Sequence, residues 1–409
     1  MLVSNYKASS RRLGDAFFRL EEIKLTERLF EHDPHLFAFT AKVLSCEETD
    51  GGFAVVLDRS AFFPDGGGQP GDTGFLGEVR VKDTRERDGQ TVHLCDAPLE
   101  PGTTVAGNID TAERLMRMRE HTGEHIVSGI IYRRFGFHNV GFHMGAESVT
   151  VDVDGVLMWE ELLEVQRAAN EIVRRDLPVR AEYPDAEALE RMEYRSKKKL
   201  TGAVRIVTVP EADVCACCGV HVTHTGEVGQ ILILSRETRK GGTRLELLCG
   251  EKAERYCEAL AEQSRRIGAM LSVKTTQIAD GAAKLAEETE RRKEQIAALS
   301  KRLFAEIAEG HRGVGNVLIV EEGFSADDTR RLADAVARVC GGSCAVFSEQ
   351  EGRRLFAAIS ETEDLRPLCA RMRERLSGSG GGKADCVMGS VRAEKEEICA
   401  FFKEEGWSV

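Results

Sequence analysis

The spacing of hydrophobic positions divides the chain into segments of different character. Three apolar runs near the N-terminus, FAFTAKVLSC, GFAVVLDRS and TVHLC, have the length and composition of β-strands. The segment FFPDGGGQPGDTG (62–74) lies between them, is rich in glycine and proline, and is predicted to be a loop. Short strands joined by glycine turns favour a small β-barrel over 25–108, preceded by an N-terminal extension, 1–24, with one short helix.

The next region, 109–250, mixes helical and strand patterns. Residues 110–135 have helical spacing, with Asp110 or Thr111 as the N-cap. A strand near 147–153, a helix over 158–176 and three further apolar runs after Lys199 follow. This pattern predicts an α+β domain.

The last part of the chain is predicted to hold a helical segment and a separate domain. Residues 251–309 contain no proline, and their apolar positions recur at helical intervals, which predicts a helical or coiled-coil linker with a break at Gly281. Strands and helices then alternate over 310–409, around a predicted loop SGSGGGKAD (377–385), which is typical of an α/β domain. The predicted fold class is therefore α+β multidomain.

Composition and charge narrow the functional classes. The 409 residues include 68 acidic and 56 basic side chains, a net charge of −12, which argues against a general nucleic-acid binder but leaves room for a local basic patch. No segment approaches about 18 consecutive apolar residues, so we expect no membrane partner and a cytoplasmic protein. Twelve cysteines are scattered apart from CACC at 215–218, a cluster that favours metal or redox chemistry in a reducing compartment.

Two short motifs carry candidate metal chemistry. His121 and His125, in MREHTGEHIVSG, lie four residues apart on one helical face and could share a metal ion. A metalloprotease motif would need a glutamate directly after the first histidine, and Thr122 occupies that position here. Glu124 precedes the second histidine and is expected to point elsewhere, away from the metal. Taken alone, the pair also fits two ordinary histidines of a helix.

The second motif lies about ninety residues later, in DVCACCGVHVTHTGEVG. Cys217 and His221 have C-x-x-x-H spacing and would complete a tetrahedral zinc set with the two histidines. Cys215 and Cys218 offer a rival C-x-x-C pair for redox chemistry or for the metal, and buried cysteines can also be simple packing residues. Spacing alone does not choose between these alternatives.

HTGEH together with CCGVHVTHTGEVG resembles the zinc motifs of the alanyl-tRNA synthetase editing domain and its free-standing AlaX-type relatives. SAFFPDGGGQPGDTG (60–74) and GGTRLELLCGEKA (241–253) resemble other parts of that domain, and GSGGGKADCVMGS (378–390) resembles the glycine-rich signature of the DHHA1 domain of long AlaX proteins. In this register the zinc ligands would be His121, His125, Cys217 and His221. Cys218 departs from the family's pattern, so the choice of cysteine stays open.

The resemblance also implies roles for residues around the metal. Gly66, Gly67, Gly68 and Gln69 would bind the 3′ end of the substrate, because glycines allow close backbone approach and glutamine offers a donor and an acceptor. Thr225 and Glu227 would orient a ligand histidine. Four protein ligands are more typical of structural than of catalytic zinc, so the role of the ion stays open between activating water and positioning the substrate.

The function implied is trans-editing, the ATP-independent hydrolysis of Ser-tRNA(Ala), or of Gly-tRNA(Ala), by a zinc-dependent aminoacyl-tRNA deacylase. The alternative is a non-catalytic, zinc-stabilised tRNA-binding protein. The predicted tRNA-binding patch lies in RMEYRSKKKL (191–200) and comprises Arg191, Arg195, Lys197, Lys198 and Lys199. The helical linker and the C-terminal DHHA1-like domain offer a surface for a homodimer.

Overall fold

The computed structural model describes residues 25–196, 202–350 and 352–409. The chain divides into two compact units, Met1–Gln263 and Ser264–Val409. Each unit combines helices with β-sheets, which confirms the predicted mixed α and β multidomain organisation. No helix in the described ranges is both long enough and apolar enough to span a bilayer.

A closed β-barrel opens the first unit. Six strands close it in the order β2-β3-β7-β6-β5-β8, and the short strands β1 and β4 pair in parallel beside it. In chain order the strands are β1 Glu27–Arg28, β2 Ala38–Thr49, β3 Gly52–Leu57, β4 Arg59–Ser60, β5 Gly74–Leu76, β6 Val79–Arg87, β7 Gln90–Cys95 and β8 Thr104–Ile109, with a 3-10 turn at Leu29–Glu31.

The glycine-rich loop between β4 and β5 is fixed by a buried ion pair. Asp72 Oδ2 accepts hydrogen bonds from the backbone N–H of Phe63 at 2.6 Å and from Arg114 Nε at 2.8 Å. Arg114 also donates to the carbonyls of Pro34 and Ala61, and its side chain is fully buried. Removing one partner of such a pair typically costs about 3–5 kcal/mol, so the loop has little freedom to move.

The second half of the first unit packs a long helix against two sheets. The sheets have the strand orders β14-β15-β10-β9 and β11-β12-β13. The elements are α1 Thr111–Phe135, β9 Asn139–Met144, β10 Val149–Val153, α2 Trp159–Arg174, β11 Arg180–Glu182, α3 Ala186–Arg191, β12 Ile206–Val209, β13 Asp213–Ala216, β14 Ile231–Arg239 and β15 Gly242–Cys249, with a 3-10 turn at Thr225–Val228.

Helix α1 is buried along most of its length and begins where predicted. Asp110 is the N-cap residue, but its carboxylate accepts hydrogen bonds from Arg80 and Thr73 rather than from the first turn. The helix ends at Gly136, which adopts a left-handed conformation with φ of 74°. The first unit's main core lies between this helix, α2 and the four-stranded sheet.

The second unit is an α/β domain reached through two helices. Its sheet has the order β16-β17-β18-β20-β19, with β16 and β17 parallel and the remaining pairs antiparallel. The helix α4 Glu251–Leu271 runs across the boundary between the units and is followed by α5 Ile278–Gly310, β16 Gly315–Glu322, α6 Ala326–Cys340, β17 Gly341–Gln350, β18 Arg353–Ser360, α7 Arg366–Arg375, β19 Ser379–Gly382, β20 Cys386–Val391 and α8 Lys395–Glu404.

Two predictions for this region are wrong in detail. The break between the long helices is not at Gly281, which is helical, but between α4 and α5, where a 3-10 turn covers Thr275–Gln277 and Ser272 has a φ of 55°. The predicted loop 377–385 contains the edge strand β19, in which Gly380 pairs with Gly389 of β20. A Cβ atom on Gly380 would lie 2.5 Å from the Met388 carbonyl oxygen, so this close pairing requires glycine.

A neutral histidine inside the barrel makes its stability dependent on pH. His93 is fully buried; its Nδ1 donates to the Val55 carbonyl at 3.0 Å and its Nε2 accepts from Ser60 Oγ at 2.7 Å. Burial lowers the pKa of His93 to about 4, from 6.5. The folded state thus disfavours the protonated form of His93. The contribution of this residue to stability is therefore fully present above the unfolded pKa, and it is lost as the pH falls from 6.5 towards 4.

We expect His93→Gln to lose this dependence. Between pH 7 and pH 5 the wild-type free energy of unfolding should fall by about 2 kcal/mol more than that of the variant. Urea unfolding of both proteins at the two pH values measures this difference, and other titrating groups cancel in the comparison. Equal pH dependence of the two proteins would contradict the assignment.

Candidate metal centre

Four side chains from distant parts of the sequence meet beside the barrel. One nitrogen from each of His121, His125 and His221 and the sulfur of Cys217 all lie within 4.8 Å of one another. Cys217 Sγ is 3.5 Å from His121 Nε2 and 3.4 Å from His221 Nε2. The three histidines are almost completely buried. The structure therefore brings together the four predicted ligands, which could hold a metal ion.

The outer ring nitrogens of the three histidines are each held by a polar group. His121 Nδ1 donates to Gln69 Oε1 at 2.7 Å, and His125 Nδ1 donates to Asp213 Oδ2 at 2.9 Å. Amide and carboxylate oxygens only accept, so these two Nδ1 atoms carry protons and the Nε2 atoms face the centre. Thr122 Oγ1 lies 3.2 Å from the third outer nitrogen, on His221. This arrangement is the usual support for histidine ligands.

Asp213 is itself anchored by an arginine. Arg195 donates to both carboxylate oxygens, from Nε at 2.7 Å and from Nη2 at 2.6 Å, and both side chains are nearly inaccessible to solvent. The sequence placed Arg195 in an exposed tRNA-binding patch. In the structure its guanidinium instead fixes the carboxylate that orients His125.

The electrostatics of the cluster favour a thiolate with positive charge around it. Burial alone would raise the pKa of Cys217, but His121 and the hydrogen bonds from His121 and His125 outweigh it and hold that pKa well below its usual value. Burial would likewise lower the pKa of His125, yet the hydrogen bonds to Asp213 and Cys217 hold it well above its ordinary range. Burial lowers the pKa of His221 to about 3, so its ring stays neutral. A cation at the centre would meet a thiolate and a neutral imidazole.

The two neighbouring cysteines have different surroundings. Cys215 is buried, its pKa is raised to about 11 by burial, and its thiol donates to the Ala216 carbonyl. It forms a second potential metal group with His125 and Asp213, but both oxygens of Asp213 already accept hydrogen bonds. Cys218 faces the glycine loop, and its pKa is raised by burial and by the adjacent Cys217. The geometry favours Cys217.

The glycine loop supports the cluster from the barrel side. Gly66 and Gln69 close a tight turn through two backbone hydrogen bonds, and Gly67 and Gly68 adopt positive φ values of 65° and 89°. Gln69 is fully buried against His121, so this predicted substrate-binding residue holds a ligand ring. Gly67 lines the cleft described below, whereas Gly68 packs against Phe142.

Thr225 and Glu227 do not have the surroundings that the sequence predicted. Thr225 Oγ1 donates to the Ile172 carbonyl and accepts from the Leu177 amide, each at 2.8 Å. Glu227 Oε2 pairs with His35 Nε2 at 2.8 Å. These residues tie together surrounding chain segments, and the ligand rings are oriented by Gln69, Asp213 and Thr122 instead.

A cleft of about 390 Å³ opens onto the cluster. Three of the four clustered side chains line it, together with polar groups that the sequence analysis did not select, Arg205, Asn139 and Glu124. Glu124 was expected to point elsewhere, but it lines this cleft and its Oε2 lies 4.0 Å from His125 Nε2. The complete lining is Gly67, His121, Glu124, His125, Asn139, Phe142, Tyr183, Arg195, Ser196, Ala203, Val204, Arg205, Cys215, Ala216, Cys217 and Cys218.

The predicted tRNA-binding patch is described only in part. Arg191 ends α3 with an exposed side chain that pairs with Glu187. Lys197, Lys198 and Lys199 lie outside the described residues. The patch as a whole therefore stays a prediction.

Comparison with known proteins finds similarity to tRNA-related families. Residues 204–246, which include Cys217 and His221, match the threonyl and alanyl tRNA synthetase second additional domain, and 15–113 match the class II (A) tRNA synthetases. The chain is 27% identical over 402 residues to the alanyl-tRNA editing protein AlaX-L of Pyrococcus horikoshii, covering 91% of this chain and 96% of that protein. This chain is similar to an alanyl-tRNA editing protein over nearly the whole length of both.

Alanine–tRNA ligases are also similar to this chain. The ligase of Halorubrum lacusprofundi is 32% identical over 350 residues, and that of Pyrococcus furiosus is 30% identical over 412 residues. The alignments cover 80% and 95% of this chain but only 37% and 44% of the ligases, so the chain spans less than half their length. The solved C-Ala domain of Aquifex aeolicus alanyl-tRNA synthetase is 20% identical to this chain. The match covers 22% of this chain and 92% of that domain, with a TM-score of 0.20.

Asp213→Asn tests which residues support the metal site. Loss of the carboxylate should weaken metal binding about 10- to 100-fold, because the His125 ring loses its charged acceptor. Glu227→Gln is the matched control and should leave the affinity unchanged. Chelator competition with zinc measures both variants, with thermal unfolding followed in parallel. Unchanged affinity in Asp213→Asn, or an equal loss in Glu227→Gln, would contradict the assignment.

Proposed function

We propose that this chain is a zinc-dependent deacylase that removes a wrongly attached amino acid, serine or glycine, from tRNA(Ala). The observation that carries the proposal is the convergence of three imidazole nitrogens on Cys217 Sγ at the wall of a cleft. The similarity to AlaX-L over nearly the whole length of both chains supports the substrate class. Hydrolytic editing is needed because a binding pocket discriminates poorly between amino acids that differ by a methylene or a hydroxyl.

The donor set fits zinc. Imidazole nitrogen and thiolate sulfur are both zinc ligands, and zinc bond lengths of about 2.0–2.3 Å place neighbouring sulfur and nitrogen ligands about 3.5 Å apart in a tetrahedral site. The two measured separations from Cys217 Sγ, 3.5 Å and 3.4 Å, agree with this value. When bound, zinc would polarise the ester carbonyl and lower the pKa of a water molecule.

The chain's own residues would bind and orient the aminoacyl end. The cleft has the size of a small-molecule site, and Arg205 gives its wall a cation whose Nη1 donates to the Cys217 and Gly219 carbonyls. Arg205 would bind the anionic backbone of the tRNA next to its 3′ end. Gln69 Nε2 is a buried donor with no partner among the described residues, and a substrate oxygen or a water molecule would satisfy it.

The rest of the tRNA would be bound through weaker, charge-based contacts. The exposed Arg191 and the lysines 197–199 form the proposed patch, and the 310–409 domain, proposed to be DHHA1-like, supplies a second tRNA-binding surface. Contacts of this kind depend strongly on salt concentration. Such a local patch would offset the net charge of −12 of the whole chain.

Release of serine from Ser-tRNA(Ala) tests the proposal. Cys217→Ala should lose bound zinc and lower the release rate by at least about 100-fold, because the thiolate ligand is gone. Cys218→Ala, which removes the neighbouring thiol, is the matched control and should keep both zinc and activity. Serine release and zinc content are measured on the same preparations.

Two other outcomes would be informative. A wild-type protein that binds zinc and tRNA(Ala) but leaves seryl and glycyl esters intact would contradict the deacylase and favour the non-catalytic tRNA-binding alternative. Loss of zinc in Cys218→Ala and not in Cys217→Ala would show that the ligand cysteine is wrongly assigned.

A further inference from the structure

The cleft contains a buried carboxylate that the proposed metal site does not use. Glu124 lies on α1 directly before the ligand His125 and is only 3% exposed. Its Oε2 atom lies 4.0 Å from His125 Nε2, the nitrogen that faces the metal centre. Glu124 is not a member of the four-residue group whose ligand atoms lie together. The carboxylate therefore stands beside the metal centre, at the cleft.

Two neutral groups hold this carboxylate in place. Ser128 Oγ and Asn139 Nδ2 both donate hydrogen bonds to Oε1 of Glu124. Arg195, which lines the same cleft, is bound to Asp213 through two hydrogen bonds. In the described part of the chain, no group donates a hydrogen bond to Oε2. Apart from the His125 ring at 4.0 Å, Glu124 has no cationic partner among the described residues. A buried carboxylate with so little compensation is suited to bind a further positive charge.

The neighbouring side-chain amide of Asn139 also has an oxygen to which no group donates a hydrogen bond among the described residues. Asn139 Oδ1 is buried and has no hydrogen-bond partner among the described residues, because the Nδ2 atom of the same amide is directed at Glu124. Buried acceptors are normally satisfied, so an orphaned one indicates a missing donor. The unmet atoms on this side of the cleft are thus a carboxylate oxygen and an amide oxygen, which together suit a cationic group with several N–H donors.

We propose that Glu124, held by Ser128 and Asn139, binds the α-ammonium group of the aminoacyl ester. This inference rests on the proposed deacylase function and deepens it. The substrate carries its ammonium group on the carbon next to the ester carbonyl, so a carboxylate beside the metal centre is within reach of it. The enzyme would then select esters with a free amine and would reject those whose amine is acylated, as in peptidyl-tRNA.

The test uses Glu124→Gln, which keeps an oxygen for Ser128 and Asn139 but removes the charge. Two non-hydrolysable probes are compared by calorimetry: 3′-serylamino-3′-deoxyadenosine, and its glyceryl counterpart, in which a hydroxyl replaces the amine. The variant should bind the seryl probe about 10- to 100-fold more weakly than wild type, because losing a charge-assisted hydrogen bond usually has an effect of this size. Its affinity for the glyceryl probe should stay within about twofold of the wild-type affinity. Glu164→Gln, an exposed glutamate on α2, is the matched charge control.

Zinc content and serine release are measured on the same proteins, so each outcome has a separate meaning. An equal loss for both probes, or no loss for either, would overturn the ammonium assignment. Loss of zinc in Glu124→Gln would also overturn it, since the carboxylate would then be a metal ligand. Failure of the wild type to bind either probe and to release serine would instead overturn the deacylase function, and the inference with it.

Discussion

The site depends on three imidazole rings whose outer nitrogens are tied to fixed acceptors. Each acceptor comes from a different element: Gln69 from the glycine loop, Asp213 from β13, and Thr122 from α1 itself. The contacts to Gln69 and Asp213 place protons on the Nδ1 atoms of His121 and His125, and all three contacts turn the Nε2 atoms towards one sulfur atom. Without them, the rings could rotate and the four donors would not form one centre.

The fold serves mainly to bring these acceptors together. The Asp72–Arg114 pair joins the barrel loop to α1, and this connection places Gln69 against His121. A Cβ atom on Gly219 would lie 2.2 Å from the His121 ring, so the chain after Cys217 must be glycine there to approach the helix. The barrel, α1 and β13 are thus held by contacts that converge on the metal centre.

The sequence predicted what depends on local spacing and missed what depends on distant contacts. The ligands His121 and His125 follow from helical periodicity. Thr225 and Glu227 are close to His221 in sequence, but the structure places their side chains against other segments. The residue that holds His125, Asp213, is 88 positions away from it, and no local pattern connects the two.

Two other errors have the same origin. The glycine segment that forms β19 has no side-chain pattern of a strand, and it is a strand only because it pairs with β20 and leaves no room for side chains. Arg195 was placed in a charged surface patch because its neighbours in sequence are basic, yet its partner is the buried Asp213. Burial of a charged side chain depends on partners brought in by the fold, which composition does not reveal.

X-ray absorption at the zinc edge of the loaded protein tests the central claim most directly. The account predicts one sulfur at about 2.3 Å and three nitrogen atoms of imidazole type at about 2.0 Å. Two or more sulfur atoms in the first coordination sphere would show that Cys215 or Cys218 is a ligand. That result would contradict the arrangement of three histidines and Cys217 on which the account is built.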